Sequence, residues 1–400
     1  MLSALAAVQT PVLASGRVRV VNHSALYTNG SLDIATHEPT PSFDPGDEAL
    51  EHLRSEGYVV IRAVANASEL EVAKRLLWEF VEKAGVGADR HAPSSWLNLL
   101  PNTFGIVWSH GVGQSQFMWY LRTRPRLLRA FARFWRTEPE DLISSFEGFS
   151  FFPPSQLEHE WSPLAESWFH TDQNAASRPG LQTIQSFISL WDQDESTGGF
   201  VVVPRSHLQH DAVTRRVYRS RPATPPEQQF LMIPPNDRVL TRGSAPRLVR
   251  VSAGDAVLWD SRVVHCNTPR LTAGETPPDA DGAPRPARLV GYVSLAPRDK
   301  ASETVLYERQ QGFPEGLTCT HWPFDVSCLD TPTQRGEHIS APMLHPSQLV
   351  KALIGFPLEA KVDRDSAIAR LRHSGEQKHE LRRRLTSHRK RDRRKRDLRL

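Results

Sequence analysis

A mainly β protein with flanking helices is what the sequence predicts, an antiparallel sandwich or barrel rather than a parallel sheet. Three observations carry that expectation. From residue 141 onward, short β runs follow one another without helices between them: "LISSFEGFSFF", "LQTIQSFISLW", "GGFVVVPRSH", "RLVRVSAGDAVLWDSRVVH" and "ARLVGYVSLAP". Thirty-one prolines cut the chain into short pieces, as a loop-rich β core requires. Helical patterns, by contrast, gather ahead of the β runs.

Taken in order, residues 1–44 lack periodicity and include "THEPTPSFDPG", which reads as a flexible arm, with order beginning at Asp47. "EALEHLRSEGYVVIRAV" predicts a short helix, a break at Gly57 and a strand. In "NASELEVAKRLLWEFVEKAGVG", Leu70, Ala73, Leu77 and Phe80 recur at helical spacing. Ser68 and Glu71 read as a Ser-x-x-Glu capping box at its start. A second helical stretch, roughly 115–137, is expected to divide at Pro125, which removes a backbone donor and crowds the preceding turn. "TAGETPPDADGAPRPA" between the last two β runs is loop sequence. The body of the domain is expected over 45–350, with 351–400 a polar, then strongly basic, tail that is disordered or helical.

Charge and composition narrow the function classes. The chain carries a net charge of +4, but Arg382 to Leu400 alone holds eleven Lys/Arg against two Asp, leaving the remainder at −5. The body is therefore mildly acidic. The tail suits a nuclear address or a contact to nucleic acid or another acidic partner, and a solvated extension explains it equally well. No run of eighteen apolar residues exists, which argues against a membrane span. Three cysteines, Cys266, Cys319 and Cys328, make no CxxC pair and no even disulfide framework, which favours a reducing, cytoplasmic or nuclear compartment. The acid-poor leader, with two arginines before Asp33, leaves organellar targeting open.

Among sixteen histidines, "WFHTDQN" contains the single His-x-Asp, His170 and Asp172. On a strand their side chains would share a face. A third ligand is expected from His265 in "GDAVLWDSRVVHCNTP", where Gly254-Asp255 supplies a turn and the β run delivers the histidine to its end. Two imidazoles and one carboxylate on one side of a metal leave the opposite positions open, the arrangement of non-haem Fe(II) oxygenases. Those positions suit a 2-oxo acid and O₂. The far carboxylate of the oxo acid then needs a cation, and Arg288 at the head of "RLVGYVSLAP" shares a face with Val290 and Tyr292. Arg285 and Arg270 lie in loop sequence and fit less well.

Together "HTDQN", "GGFVVVPRSH" and "GDAVLWDSRVVHCNTP" resemble the phytanoyl-CoA dioxygenase family, and more narrowly a branch in which "THWP", here Thr320–Pro323, follows. The resemblance runs from about Asp47 to Pro323. It implies a double-stranded β-helix, the jelly-roll core of cupin-like proteins, with helices packed against it. It further implies Fe(II), with 2-oxoglutarate and O₂ as cosubstrates. Carried over, His170, Asp172 and His265 become the iron ligands and Arg288 the 2-oxoglutarate anchor. Asn267 falls where some members have a serine touching the cosubstrate. "PRSH" stands where "PGSH" is usual, so Arg205 alters a turn. Halogenases related to the family carry a small residue at the carboxylate position; Asp172 therefore favours hydroxylation, of a small-molecule or lipid-like substrate.

Plainer roles are expected elsewhere. Cys266 should point away from the proposed site as a buried thiol. His159, His207, His210 and His321 are expected to be structural or solvent-facing, with His321 at the pocket mouth as the sharper alternative. Trp161 and Trp168 flank the motif, as packing or substrate contacts. Two rival functions remain: a non-catalytic β-helix binding module, and a metal-dependent hydrolase or isomerase on a cupin-like barrel.

Overall fold

The computed structural model describes residues 34–35, 40–99, 104–157, 160–161, 168–225, 227–325, 338–357 and the backbone of 328–330. The basic tail, most of the N-terminal arm and His159 lie outside the described residues.

Strands run in chain order as β1 (Ser42–Phe43), β2 (Tyr58–Ile61), β3 (Ile106–Val107), β4 (Leu142–Ser144), β5 (Phe149–Phe152), β6 (His170–Thr171), β7 (Ile184–Ser189), β8 (Gly199–Val202), β9 (Leu231–Met232), β10 (Arg247–Leu248), β11 (Ala256–Asp260), β12 (His265–Thr268), β13 (Arg288–Tyr292), β14 (Leu295–Pro297) and β15 (Thr318–Cys319). A seven-stranded sheet has the order β1-β2-β11-β7-β13-β5-β3, and a five-stranded sheet the order β10-β8-β12-β6-β9. From β5 to β8 the chain alternates between the two sheets. It stays in the smaller one for β10, then alternates again through β11, β12 and β13. That winding, with antiparallel pairing inside both sheets around β5–β13, is a double-stranded β-helix.

Helices cover the outer face of the larger sheet: α1 (Asp47–Glu56), α2 (Ala67–Lys83), α3 (Gln116–Arg122) and α4 (Pro125–Trp135). Pro125 occupies the first turn of α4, where a missing N–H costs nothing, so the predicted division is a clean helix start. The cap of α2 differs from the expectation. Asn66 is the N-cap, accepting from Glu69 N at 3.0 Å while Glu69 Oε2 accepts from Asn66 N at 2.9 Å. Ser68 lies inside the first turn and donates to Asn66 Oδ1 at 2.7 Å, so the capping box begins two residues earlier. Leu70, Ala73, Leu77 and Phe80 are buried as their spacing requires. Order also starts before Asp47, because Ser42 and Phe43 pair in parallel with Val60 and Ile61.

Alternation along β2 shows how the layers divide. Val59 and Ile61 join the core beneath the helices, whereas Tyr58 and Val60 face the barrel interior with Phe187, Phe200, Val257 and Trp259. Gly57, at φ +85°, makes the turn from α1 into this strand; a Cβ there would meet His207 Nδ1 at 2.5 Å. Gly254, at φ +87°, opens the turn into β11, and its Cβ position lies 2.1 Å from the Ala65 carbonyl. The outer face of the smaller sheet has its own cluster, including Phe169, Val201, Val264 and Cys266, roofed by α5 (His210–Ser220).

The β run before His265 does not reach it. It ends at Asp260, whose carboxylate accepts from Arg262 N at 2.9 Å, and the chain crosses to the other sheet so that His265 begins β12. Arg205 takes the left-handed conformation at φ +65°, where glycine would be unstrained, and its guanidinium pairs with Glu56 at 2.7 Å. Among the described residues, no helix is long and apolar enough to cross a membrane.

Candidate metal centre

His170 and His265 are direct partners on the adjacent antiparallel strands β6 and β12, with ring centroids 4.4 Å apart. Both imidazoles are oriented the same way. His170 Nδ1 meets the Trp168 carbonyl at 3.0 Å, and His265 Nδ1 meets the Val263 carbonyl at 3.0 Å. A carbonyl can only accept, so each Nδ1 carries the hydrogen and each Nε2 is left to present a lone pair. Asp172 sits just past the end of β6, its backbone N–H held by the Ser261 carbonyl at 3.1 Å in the turn between β11 and β12. Its carboxylate lies between the two rings, Oδ1 at 3.4 Å from His170 Nε2 and Oδ2 at 3.2 Å from His265 Nε2.

The three predicted ligands are thus brought together, with one donor atom from each lying within 4.8 Å of the others. Burial alone would raise the Asp172 pKa, yet the flanking imidazoles hold it well below the usual carboxylate range. Burial, and then the neighbouring His170, pushes His265 down. A cation standing between the two Nε2 atoms and the Asp172 carboxylate, a proton or a metal ion, satisfies all three groups. The donor set, two nitrogens and one carboxylate oxygen, suits a divalent first-row metal. Gln185 on β7, which sequence reasoning missed, donates from Nε2 to Asp172 Oδ2 at 2.8 Å and fixes the carboxylate.

Arg288 is completely buried and projects into the barrel. Its Nε donates to Gln193 Oε1 at 2.7 Å and its Nη1 to Ser150 Oγ at 2.9 Å. The rings of Phe152 and Phe187 lie 5.1 and 5.5 Å from the guanidinium carbon. Burial lowers its pKa, which the nearby Tyr292 hydroxyl partly opposes. Its Nη2 makes no hydrogen bond. Asn267, on the same strand and face as His265, likewise has an amide oxygen with no partner. Arg285 and Arg270 bond to loop carbonyls, of Pro277 and Gly274, and stay outside the barrel.

The remaining candidates separate cleanly. Cys266 points outward and is buried as a free thiol. His207 and His210 are tied by Nε2 to the carbonyls of Arg54, at 2.9 Å, and Gln173, at 2.7 Å. Trp168 stacks on His170 at 4.7 Å and donates to the Asn267 carbonyl at 2.8 Å, so it braces both strands. Trp161 lies 5.8 Å from Phe152, ring to ring. Gln193 and Ser150 were also missed. The available signal was polar residues on strands too buried to need them, Gln185 and Ser189 in "IQSFIS" and Ser150 in "FSFF".

Residues 151–275, which include all three candidate ligands, match the family model for phytanoyl-CoA dioxygenase (PhyH). A relative, "Ava biosynthesis cluster protein O" of Aspergillus versicolor, is 27% identical over 293 residues, spanning 71% of this chain and 88% of its own. Two solved structures are similar more distantly. EctD from S. alaskensis with bound Fe is 14% identical with a TM-score of 0.41, covering 68% of this chain and 84% of its own. EvdO2 from Micromonospora carbonacea var. aurantiaca, complexed with 2-oxoglutarate, is 17% identical with a TM-score of 0.35, covering 62% and 89%. The matched stretch closes at residue 275, before Arg288, so that arginine stands on the barrel geometry alone.

Proposed function

We propose that the protein is an Fe(II)- and 2-oxoglutarate-dependent dioxygenase that hydroxylates a small organic substrate. The observation that carries this reading is the convergence of His170, Asp172 and His265, with both histidines in the tautomer that offers Nε2. The PhyH match over these residues supports it. Residues at the other end of the barrel fit the cosubstrate. A buried guanidinium with a bare Nη2 is suited to one end of a dicarboxylate. Bound iron with 2-oxoglutarate and O₂ would supply the oxidising power to replace a C–H bond with C–OH, one oxygen atom of O₂ entering the product and the other succinate, with release of CO₂.

The chain's own part is positional. Backbone carbonyls of Trp168 and Val263 set the imidazoles, Gln185 orients the Asp172 carboxylate, and Gln193 with Ser150 aims Arg288. Phe187, Phe200 and Trp259 wall the interior between His265 and Arg288 and keep water from it. Succinate formation from 2-oxoglutarate by the purified protein, dependent on added Fe(II), tests the reading. Folded protein that neither binds iron nor turns over 2-oxoglutarate would overturn it in favour of a binding module.

A further inference from the structure

The segment after β15 is not accounted for by the metal centre. Thr320, His321 and Trp322 are consecutive and buried, with exposures of 3%, 6% and 1%. Each nevertheless holds a polar side-chain atom without a hydrogen-bond partner: Thr320 Oγ1, His321 Nε2 and Trp322 Nε1. Buried polar groups in folded proteins are nearly always paired, so three in a row mark a place where a ligand's polar group is expected. The location is specific. The Arg178 guanidinium lies over the Trp322 ring, and the Arg178 carbonyl accepts from Gln173 Nε2 at 2.6 Å, one residue from Asp172. His321 Nε2 is open to a ligand's hydroxyl.

Aromatic rings stand beside the same centre. Trp168 is stacked on His170 with 12° between planes, Phe230 meets His170 edge-on at 6.4 Å, and Trp322 lies 4.7 Å from the His321 ring. Arg178, stacked on Trp322 at 4.2 Å, is also in the wall of an open pocket of about 440 Å³ lined by Ser177, Pro179, Gln182, Glu227 and Gln229, polar and apolar in about equal measure. A long acyl chain would leave all three polar atoms unmet. A hydroxyl serves them, because it donates to Nε2 and accepts from an indole N–H at once.

The geometry points to Thr320–Trp322 as the substrate-recognition edge of the site, taking the hydroxyl of a planar, ring-bearing small molecule with His321 Nε2 as its acceptor. The assignment rests on the metal reading for the position of the reacting centre, and it is tested by a probe whose binding is read with and without metal. Phenol is the probe and anisole, which lacks the donor, the control. Saturation-transfer NMR on metal-free protein reads contact. Relaxation of the phenol protons by Mn(II) bound to the protein reads proximity to His170, Asp172 and His265. Phenol is expected to give both signals and anisole weaker ones. His321→Phe, which keeps a ring but loses the acceptor, should bind phenol roughly three- to tenfold more weakly, the worth of one hydrogen bond. His321→Gln, which retains an acceptor, should recover part of the loss. Equal phenol binding by wild type and His321→Phe, or anisole binding as well as phenol, overturns the proposal. Should Mn(II) fail to bind wild-type protein, as read by water-proton relaxation, the metal reading falls instead; the metal-free comparison then still decides whether His321 holds the hydroxyl. Melting curves confirm that both variants fold.

Discussion

Arg309 and Arg288 are both buried to within 1% of complete exclusion from solvent, and they are used in opposite ways. Arg309, on the helix Glu303–Gly312, meets four backbone carbonyls: Nε to Ile354 at 2.8 Å, Nη1 to Pro323 at 2.9 Å, and Nη2 to Ser144 at 2.6 Å and Leu353 at 3.0 Å. It joins four segments outside the barrel, and burial pushes its pKa down to about 10. Arg288 bonds two side chains and keeps Nη2 bare inside the barrel. A guanidinium saturated by main chain holds the fold. One that is oriented by side chains and left short of a partner is prepared for something the chain does not contain.

The largest effect should come from emptying the centre on the Arg288 side of that contrast. Asp172→Ala removes the carboxylate between two lone pairs, and iron-dependent succinate formation should fall by about 100-fold or more. Turnover at the wild-type rate would sink the ligand assignment. Next come the two arginines themselves. Arg309→Leu strands four buried carbonyls, each costing about 1–3 kcal/mol, so melting should drop by on the order of 10 °C. Arg288→Leu takes a partner from the side chains of Gln193 and Ser150, and a neighbour from Tyr292, all of which can rebond locally. It should cost little in melting temperature and weaken 2-oxoglutarate binding roughly 10- to 100-fold, measured by anaerobic titration of the iron-loaded protein. If Arg288→Leu lowers stability as far as Arg309→Leu and leaves 2-oxoglutarate binding unchanged, the two arginines do the same job and the contrast is wrong.

Much of this was legible before any coordinates. "HTD" and the histidine of "HCNTP" announced a candidate ligand set, which the fold brings together, because ligand chemistry tolerates few residue types and strand geometry constrains their spacing. Arg288 followed from its phase with Val290 and Tyr292 on one strand. The long-range supports were not legible. Gln185 reaches Asp172 across two sheets, and Gln193 reaches Arg288 over 95 residues, pairings that depend on which strands become neighbours. Nor could the sequence place His265 at a strand's start, since the turn that puts it there is made by the Asp260 carboxylate on its own backbone. The cap of α2 was off by two residues for a similar reason. Asn66 and Ser68 both precede a glutamate at the right spacing, and only the backbone conformation at Asn66 distinguishes them.

Gln185 offers a finer cut. Gln185→Leu keeps the barrel apolar and removes the bond to Asp172 Oδ2, so metal affinity should fall about tenfold while 2-oxoglutarate binding at saturating metal stays near wild type. A loss of 2-oxoglutarate binding at saturating metal would mean that the two ends of the barrel are not independent.

The smallest effect concerns Glu147, near Arg122 on the structural side of the barrel. Burial pushes its pKa up to about 7, against hydrogen bonds from Ser145 and Ser294 and the Arg122 charge, with Asp172 adding to the rise. An acid whose folded pKa exceeds its unfolded value of 4.5 contributes stability that is fully present below 4.5 and is lost as pH climbs through 7. Glu147→Gln keeps an acceptor for the Ser145 and Ser294 hydroxyls, at 2.7 and 2.9 Å, and cannot ionise. The variant should therefore melt close to wild type near pH 5 and on the order of 2–4 °C above it near pH 8. A difference that stays constant across that range would mean Glu147 is ionised throughout, held by Arg122 more firmly than its burial opposes.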